Sequence, residues 1–448
     1  MNPNSLSCRV RELEPLGFAR SRCSLKPAKR DKEDGCILQV RDSRISIVGL
    51  GYIGLPTAVM FANAGFTVRG VERDQSKIDA INTGTLQIDE PGLKEQFIKA
   101  YKAGCLLADA KAEEADVHII AVPTPIDHER KLDFSFIRSA VESIAPILRS
   151  DDLVILESTV PPGTTARVER LVYDLRPDLS SIKSVEFAHC PERVLPGAIV
   201  REFKTNPRVV GGLTSSATTR AADFYRSVTS GRVFETSAET AELAKLAENA
   251  YRDVNIAFAN ELSAISDQFG VNVWELIQLA NEHPRVNILR PGIGVGGHCI
   301  AVDPWFIVSA DPEDAKLIKT ARTVNDLQPV RTVQKLVDFI QEQKPRKVYL
   351  FGQSFKPNVG DTRESPAVEV SKRVSAEFPD IEFVLVDPHV SHLVGEQTMW
   401  SNCTLVNSVP NVSENDSVVC LVAHDAFRSE LSQIRTSQKF IDLAGMFN

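Results

Sequence analysis

The sequence predicts an α/β protein built as two doubly wound domains joined by a long central helix. Three observations carry that reading. Short β-branched apolar runs alternate with amphipathic stretches over the first half of the chain, the pattern of a parallel sheet covered by helices on both faces. From Ala238 to Phe269 the chain holds no glycine or proline and keeps helical apolar spacing. Near Pro345 the alternation of strand, glycine, loop and helix begins again.

Composition bounds the rest. The 448 residues are 43% hydrophobic and 25% charged, enough apolar content for more than one core. A net charge of -8 argues against a nucleic-acid partner. No apolar run reaches the roughly 18–20 residues of a membrane span. The cysteines stand singly without a CxxC pair, so no metal is expected. The N-terminus lacks the apolar core of a secretory signal, and a cytoplasmic location is expected. Residues 1–43 are charge-rich and aperiodic and read as a flexible extension. The domains then read as 44–235, 236–342 and 343–448.

The first ordered unit is "RISIVGLGYIGLPTAVMFANAGFTVRGVERD". Ile45–Val48 is a buried strand, a helix runs to Ala64 with Gly65 as its cap, and a second strand, Thr67–Val71, ends at Glu72. Gly49, Gly51 and Gly54 form GxGxxG: a tight turn, a bare approach for a pyrophosphate, and close helix–strand packing. Free amides at the helix start hold phosphate. Glu72 accepts from a ribose diol and repels a 2′-phosphate, which favours NAD over NADP. Tyr52, Ile53 and Arg73 belong to the same cofactor contour.

Further strands follow in "ADVHIIAVPTP", "DDLVILESTVPPG" and "SVEFAHCPERVLPG". Their carboxyl ends place Pro123, Thr124, Thr159 and Glu192 on the crevice of an open parallel sheet. On the long helix, Lys245, Asn249 and Arg252 fall at i, i+4 and i+7, on one face. The second domain has no full GxGxxG, and its loop after the first strand carries Lys356, Asp361, Arg363 and Glu364, residues suited to gripping phosphate.

Between these parts lies "GIGVGGHCIAVDPW". A thiol set in bare backbone can receive a bulky ligand at close range, and nearby amides can stabilise its thiolate. A dehydrogenase that stops at an aldehyde needs no thiol. One that continues to a carboxylate does, because the thiolate adds to the aldehyde and a second hydride leaves to give a thioester.

The set "GLGYIGLP", "PTP", "ESTVPPGTT", "CPERVLPG", "AELAKLAENAYRDVNIAFANEL", "GVGGHCIAVDPW" and "FGQSFKPNVGDTRESPA" resembles the UDP-glucose/GDP-mannose dehydrogenase family, from about residue 44 to the end and in that family's order. The resemblance implies two Rossmann-like domains and NAD-dependent four-electron oxidation of C6 of a nucleotide sugar. It implies Cys299 as nucleophile, Lys245 and Asn249 as stabilisers of the C6 oxyanion, and Asp303 as support for the thiol, the lysine and the water. It also implies Glu192 as acid/base for thioester hydrolysis and Thr159 as a holder of the water. Substrate contacts follow at Arg193, Val194, Arg252, Gly292, Gly296, His298, Phe355, Lys356 and Arg363, with Arg285 reaching the sugar of a neighbouring subunit. A homodimer or higher homo-oligomer built on the long helix is implied with them.

One departure bears on substrate. UDP-glucose members usually carry a second glutamate four residues after that of the "PE" motif, where this chain has Pro196. Together with "GGHCIAVDPW", this resembles the branch acting on UDP-N-acetylhexosamines, with the N-acetylmannosamine sugar expected and the N-acetylglucosamine sugar as the alternative. A two-electron hydroxyacid-type dehydrogenase leaves Cys299 and the second domain unexplained. A non-catalytic binding protein leaves Lys245, Asn249, Cys299 and Asp303 together unexplained.

Overall fold

The computed structural model describes residues 43–181, 184–297, 299–395, 400–435 and 439–447. The extension read at residues 1–43 lies, except for Ser43, outside the described residues, and so does His298.

The first sheet has eight strands: β1 (Arg44–Val48), β2 (Thr67–Val71), β3 (Leu106–Asp109), β4 (Val117–Ile120), β5 (Leu153–Leu156), β6 (Glu186–His189), β7 (Arg208–Gly212) and β8 (Val233–Ser237). Their order is β3-β2-β1-β4-β5-β6-β7-β8. After β3 the chain returns to the other side of β1, so the crevice at the carboxyl ends of β1 and β4 is the switch point where such sheets bind ligands. The central strands are apolar runs because helices cover both faces: all four residues of β4 and of β5 are buried.

The sheet is parallel except at β6–β7, where Ala188 pairs Gly212 and His189 pairs Gly211 in antiparallel register. Simple alternation does not foresee this reversal. It arises because the loop after β6 and the short helix Ile199–Thr205 bring the chain back from the opposite end.

The second sheet has five strands, all parallel: β9 (Lys347–Phe351), β10 (Glu382–Val386), β11 (Cys403–Val406), β12 (Ser417–Cys420) and β13 (Phe440–Asp442), in the order β11-β10-β9-β12-β13. Its switch point lies after β9, between β10 and β12.

The helix Ala238–Phe269 links the two parts. It starts directly from β8, where Ser237 accepts from the Thr240 amide, and ends at Gly270 with φ +65°. Its buried Glu242 reaches into the first domain and accepts from Gly163 N at 2.6 Å, Thr165 N at 2.7 Å and Thr165 Oγ1 at 2.6 Å. It thereby caps the helix Thr164–Leu175 from far away in sequence. A carboxylate on two orphan amides is a strong anchor for the long helix. No helix among the described residues is long and apolar enough to cross a membrane.

Candidate active site

At β1 the glycines perform three different jobs. Gly49 has φ +95°, and a Cβ there would stand 2.5 Å from Ala121 O. A Cβ on Gly54 would stand 1.9 Å from Gly49 O. Gly51, in contrast, faces open space, with nothing within 4 Å. No side chain caps the helix Gly54–Asn63, so its first amides are available to a ligand. Glu72 closes the turn by accepting from Leu50 N at 3.1 Å and from Arg73 N at 2.9 Å. A cavity of about 180 Å³ opens beside Gly51 and Tyr52. These features fit a dinucleotide: bare backbone for the pyrophosphate and an acid at the end of β2 for the ribose. Nearby, Ser158 Oγ donates to Val122 O at 2.7 Å, tying the loop of Pro123 and Thr124 to that of half-buried Thr159.

The thiol stands between the two domains. Val302 N and Asp303 N both donate to Cys299 O, at 3.1 and 2.8 Å. This tight turn puts Asp303 at the start of the helix Asp303–Ala310. Asn249 Nδ2 donates to Asp303 Oδ2 at 2.5 Å. Burial lifts the Asp303 carboxyl to about 6, against the pull of that bond and of the Lys245 charge. The Cys299 sulfur is open to solvent on one side, yet enough protein surrounds it to push its thiol above the ordinary value. The charge of Asp303 adds to that rise, while Lys245, Arg363 and Lys356 oppose it. Side chains from the central helix, the thiol loop and the second domain therefore act on one sulfur.

The loop is held from behind by a buried polar network. Arg322 Nη1 donates to Asp253 Oδ1 and to Ile300 O, the latter at 3.3 Å. Asn325 Nδ2 donates to Asp253 Oδ1 at 2.8 Å. Asn260 Oδ1 accepts from Gly292 N at 3.0 Å, and Gln328 Nε2 donates to Gly292 O at 3.1 Å. Buried ions are costly unless their hydrogen bonds are made, and here they fix a glycine-rich loop that could not fix itself.

The glycines of that loop also have a packing role that the sequence does not suggest. A Cβ on Gly296 would stand 2.5 Å from Glu364 O and 2.6 Å from Pro366 Cδ. One on Gly297, at φ +81°, would stand 3.2 Å from the Phe355 ring. At these two positions bare backbone receives the second domain. The seam it makes brings Phe355, Lys356 and Arg363 toward the thiol.

The second crevice is stapled by side chains. Asp387 Oδ2 accepts from Gln353 N at 2.7 Å and from Ser354 N at 3.2 Å. Burial works to raise the Asp387 carboxyl, but His424 and these amides hold it below its ordinary value. His424 Nδ1 accepts from Asn358 N at 2.9 Å, so Nε2 carries the hydrogen toward Asp387 at 3.1 Å and Ser354 Oγ at 3.2 Å. Despite its Ser, His and Asp, this group is a clamp on the loop 353–361 and not a nucleophile relay. Lys356 forms no ion pair among the described residues. Arg363 grips Asp361 through Nε and Nη2, the latter at 2.6 Å.

Three matches cover this architecture in order. The NAD binding domain of the UDP-glucose/GDP-mannose dehydrogenase family matches residues 43–229, its central domain residues 239–327, and its UDP binding domain residues 349–448. The chain belongs to that family.

It is an NAD-dependent UDP-sugar dehydrogenase by this membership and by its relatives. A Ralstonia nicotianae protein named NDP-N-acetyl-D-galactosaminuronic acid dehydrogenase is 46% identical, covering 90% of this chain and 96% of its own. The UDP-N-acetyl-D-mannosamine dehydrogenase of Escherichia coli is 44% identical, over 90% and 99%. Among solved structures, the UDP-D-ManNAc dehydrogenase of Pyrococcus horikoshii superposes with a TM-score of 0.79 at 36% identity, over 90% of this chain and 96% of that one.

The remaining family positions divide by environment. Glu192 is nearly buried, with Oε2 on Arg208 Nη2 at 3.0 Å and Oε1 on Arg193 N at 2.7 Å. Beneath it, buried Glu157 is pushed up to about 8, first by desolvation and then by the charge of Glu192. The Arg193 side chain is occupied by Glu248 of the central helix, and Val194 packs on the first core. Arg252 and Arg285 are exposed and form no ion pair among the described residues. The sequence reading missed Arg208, Glu157, Asp253 and Arg322. Only Glu157 stands in an apolar run, "LVILES", which signals a buried partner without naming it; Arg208, Asp253 and Arg322 lie in polar sequence that gives no such signal.

Proposed function

We propose that the chain oxidises C6 of UDP-N-acetyl-D-mannosamine to UDP-N-acetyl-D-mannosaminuronate and releases two NADH. The observation that carries the reading is the meeting of Cys299, Asp303, Asn249 and Lys245 between two nucleotide crevices. NAD bound at the first crevice supplies the hydride acceptor. The Lys245 ammonium and the second N–H of Asn249 hold O6 as the alcohol gives its hydroxyl proton to water and its C6 hydride to NAD, becoming an aldehyde. Asp303, ionised above about pH 6, takes the Cys299 proton as sulfur adds to C6. A second hydride passes to a second NAD and the hydroxyl proton to water, which turns the thiohemiacetal into a thioester. Glu192, braced by Arg208, takes a proton from a water that Thr159 orients. The water attacks C6, the C–S bond breaks, and thiol and carboxylate are released.

The mannosamine sugar rests on the relatives that bear its name, at 43–45% identity. The N-acetylgalactosamine sugar is a second reading, favoured by two Ralstonia relatives at 46% and 45%. A homodimer on the central helix is supported by the exposed apolar Tyr251, Phe258 and Ile265, which recur every seven residues along one stripe. Arg285 would then serve the partner's site. The sugar nucleotide and NAD are cytoplasmic metabolites, and the enzyme is placed there.

The test is NADH release from purified protein with the UDP-N-acetyl derivatives of mannosamine, galactosamine and glucosamine and with UDP-glucose in parallel. Two NADH per uronate from the mannosamine sugar is the expected result. Exclusive turnover of another sugar overturns the substrate, and one NADH per product overturns the thioester route.

A further inference from the structure

One buried carboxylate outside the catalytic set ties the cofactor loop to the loop that carries Glu192. Glu90 is only 4% exposed and lies in the segment between the helices Gln75–Asn82 and Leu93–Lys102. Tyr52 of the GxGxxG turn donates its hydroxyl to Glu90 Oε2 at 2.8 Å. The same oxygen accepts from Gly197 N at 2.9 Å, and Oε1 accepts from Ile199 N at 2.8 Å.

Those two amides would otherwise be orphans. They open the helix Ile199–Thr205, whose N-cap residue, Ala198, has no side chain that could satisfy them. Gly197 also sits at φ +92°, so its amide orientation is set by a turn that few other residues adopt. The loop 192–199 is short, and its near end is fixed by Glu192 to Arg208. Its far end hangs on Glu90, and Glu90 on Tyr52. The Tyr52 phenol also feels the charges of Arg363 and Asp361 from the second domain. Cofactor turn, sugar loop and nucleotide loop therefore converge on one phenol–carboxylate bond.

We propose that Tyr52 and Glu90 are positioning residues that couple NAD occupancy of the first crevice to the placement of the 192–199 loop against the sugar. A dinucleotide on the turn at Gly51 orders Tyr52, Tyr52 orders Glu90, and Glu90 sets the two amides that fix the loop. By linkage the sugar must tighten the dinucleotide by the same factor. The inference rests on the family reading of the 192–199 loop as a sugar contact, but not on which sugar is used.

The experiment is a calorimetric titration with NADH, which cannot accept hydride, so nothing turns over. The ligand is the tightest-binding of UDP-N-acetylmannosamine, UDP-N-acetylgalactosamine, UDP-N-acetylglucosamine and UDP-glucose, with UDP as the sugarless probe. In the wild-type protein, saturating NADH is expected to tighten the UDP-sugar by about fivefold or more, and to leave UDP less affected. In Tyr52→Phe, which keeps the ring, and in Glu90→Gln, the gain is expected to fall toward one. A purely structural role would lower stability and leave the ratio in place. An unchanged ratio in both variants, or no NADH effect in the wild type, overturns the relay. A change in which sugar binds tightest bears only on the substrate.

Discussion

The two nucleotide crevices of this chain share an architecture and solve phosphate recognition by opposite means. After β1, the phosphates are left to backbone: Gly51 faces open space, the helix start is uncapped, and Glu72, which braces the turn, stands where the ribose would lie. After β9 the loop offers side chains instead: Lys356 and Arg363 ride on a loop that Asp387 and His424 hold from below. The backbone site needs only the right φ values. The side-chain site needs a scaffold of buried hydrogen bonds to hold its cations still. Cys299 lies in the seam where the two meet.

The largest effect is expected from the seam itself. Cys299→Ala should lower uronate formation by ~10³-fold or more, with NADH and UDP binding unchanged by calorimetry. If binding fell with activity, the thiol would belong to one crevice and not to the seam.

Next comes Gly296→Ala, whose Cβ would push Glu364 O, and the second domain with it, away from the thiol loop. A shift on the order of 1 Å in the reacting groups costs about 10²-fold in kcat. Retained kcat would mean that the seam tolerates a Cβ despite the 2.5 Å separation.

The crevices themselves can be separated by a pair of variants. Gly51→Ala should weaken NADH about tenfold and leave UDP alone, and Lys356→Ala should do the reverse, each corresponding to about 1.4 kcal/mol. Crossed effects would erase the division of labour drawn above.

The smallest effect is a shift in pH dependence. Iodoacetamide labelling of Cys299 should titrate above the ordinary thiol value, because burial and Asp303 both raise it. Asp303 is ionised above about pH 6, so across the labelling range it opposes the thiolate. Asp303→Asn should therefore move the labelling midpoint down, and Lys245→Met should move it up. Equal midpoints in all three proteins would show that neither charge reaches the sulfur.

Much of this was legible in residue order. Apolar runs placed β1, β2, β4, β5, β6, β9, β10 and β12 but not β3, β7, β8, β11 or β13, and the glycine-free stretch placed the central helix at Ala238–Phe269, because periodicity is a local property. The turn at Gly49, Gly51 and Gly54 was legible from its spacing after a strand, although the atom that excludes a Cβ at Gly49, Ala121 O, comes from a distant strand end. The reversal at β6–β7 was not, since its cause is the return path of a loop. Nor were the partners of Arg208, Glu157 and Asp253, because local sequence does not name what satisfies a buried charge.

By itself the sequence determined the two doubly wound units and the dinucleotide turn, and it singled out Cys299 as the candidate nucleophile. Only the tertiary structure decided why Cys299 is wrapped in glycine. The bare backbone at Gly296 and Gly297 admits Glu364, Pro366 and Phe355 from the far end of the chain. Steric room between distant segments is a property of their packing, which no local pattern records.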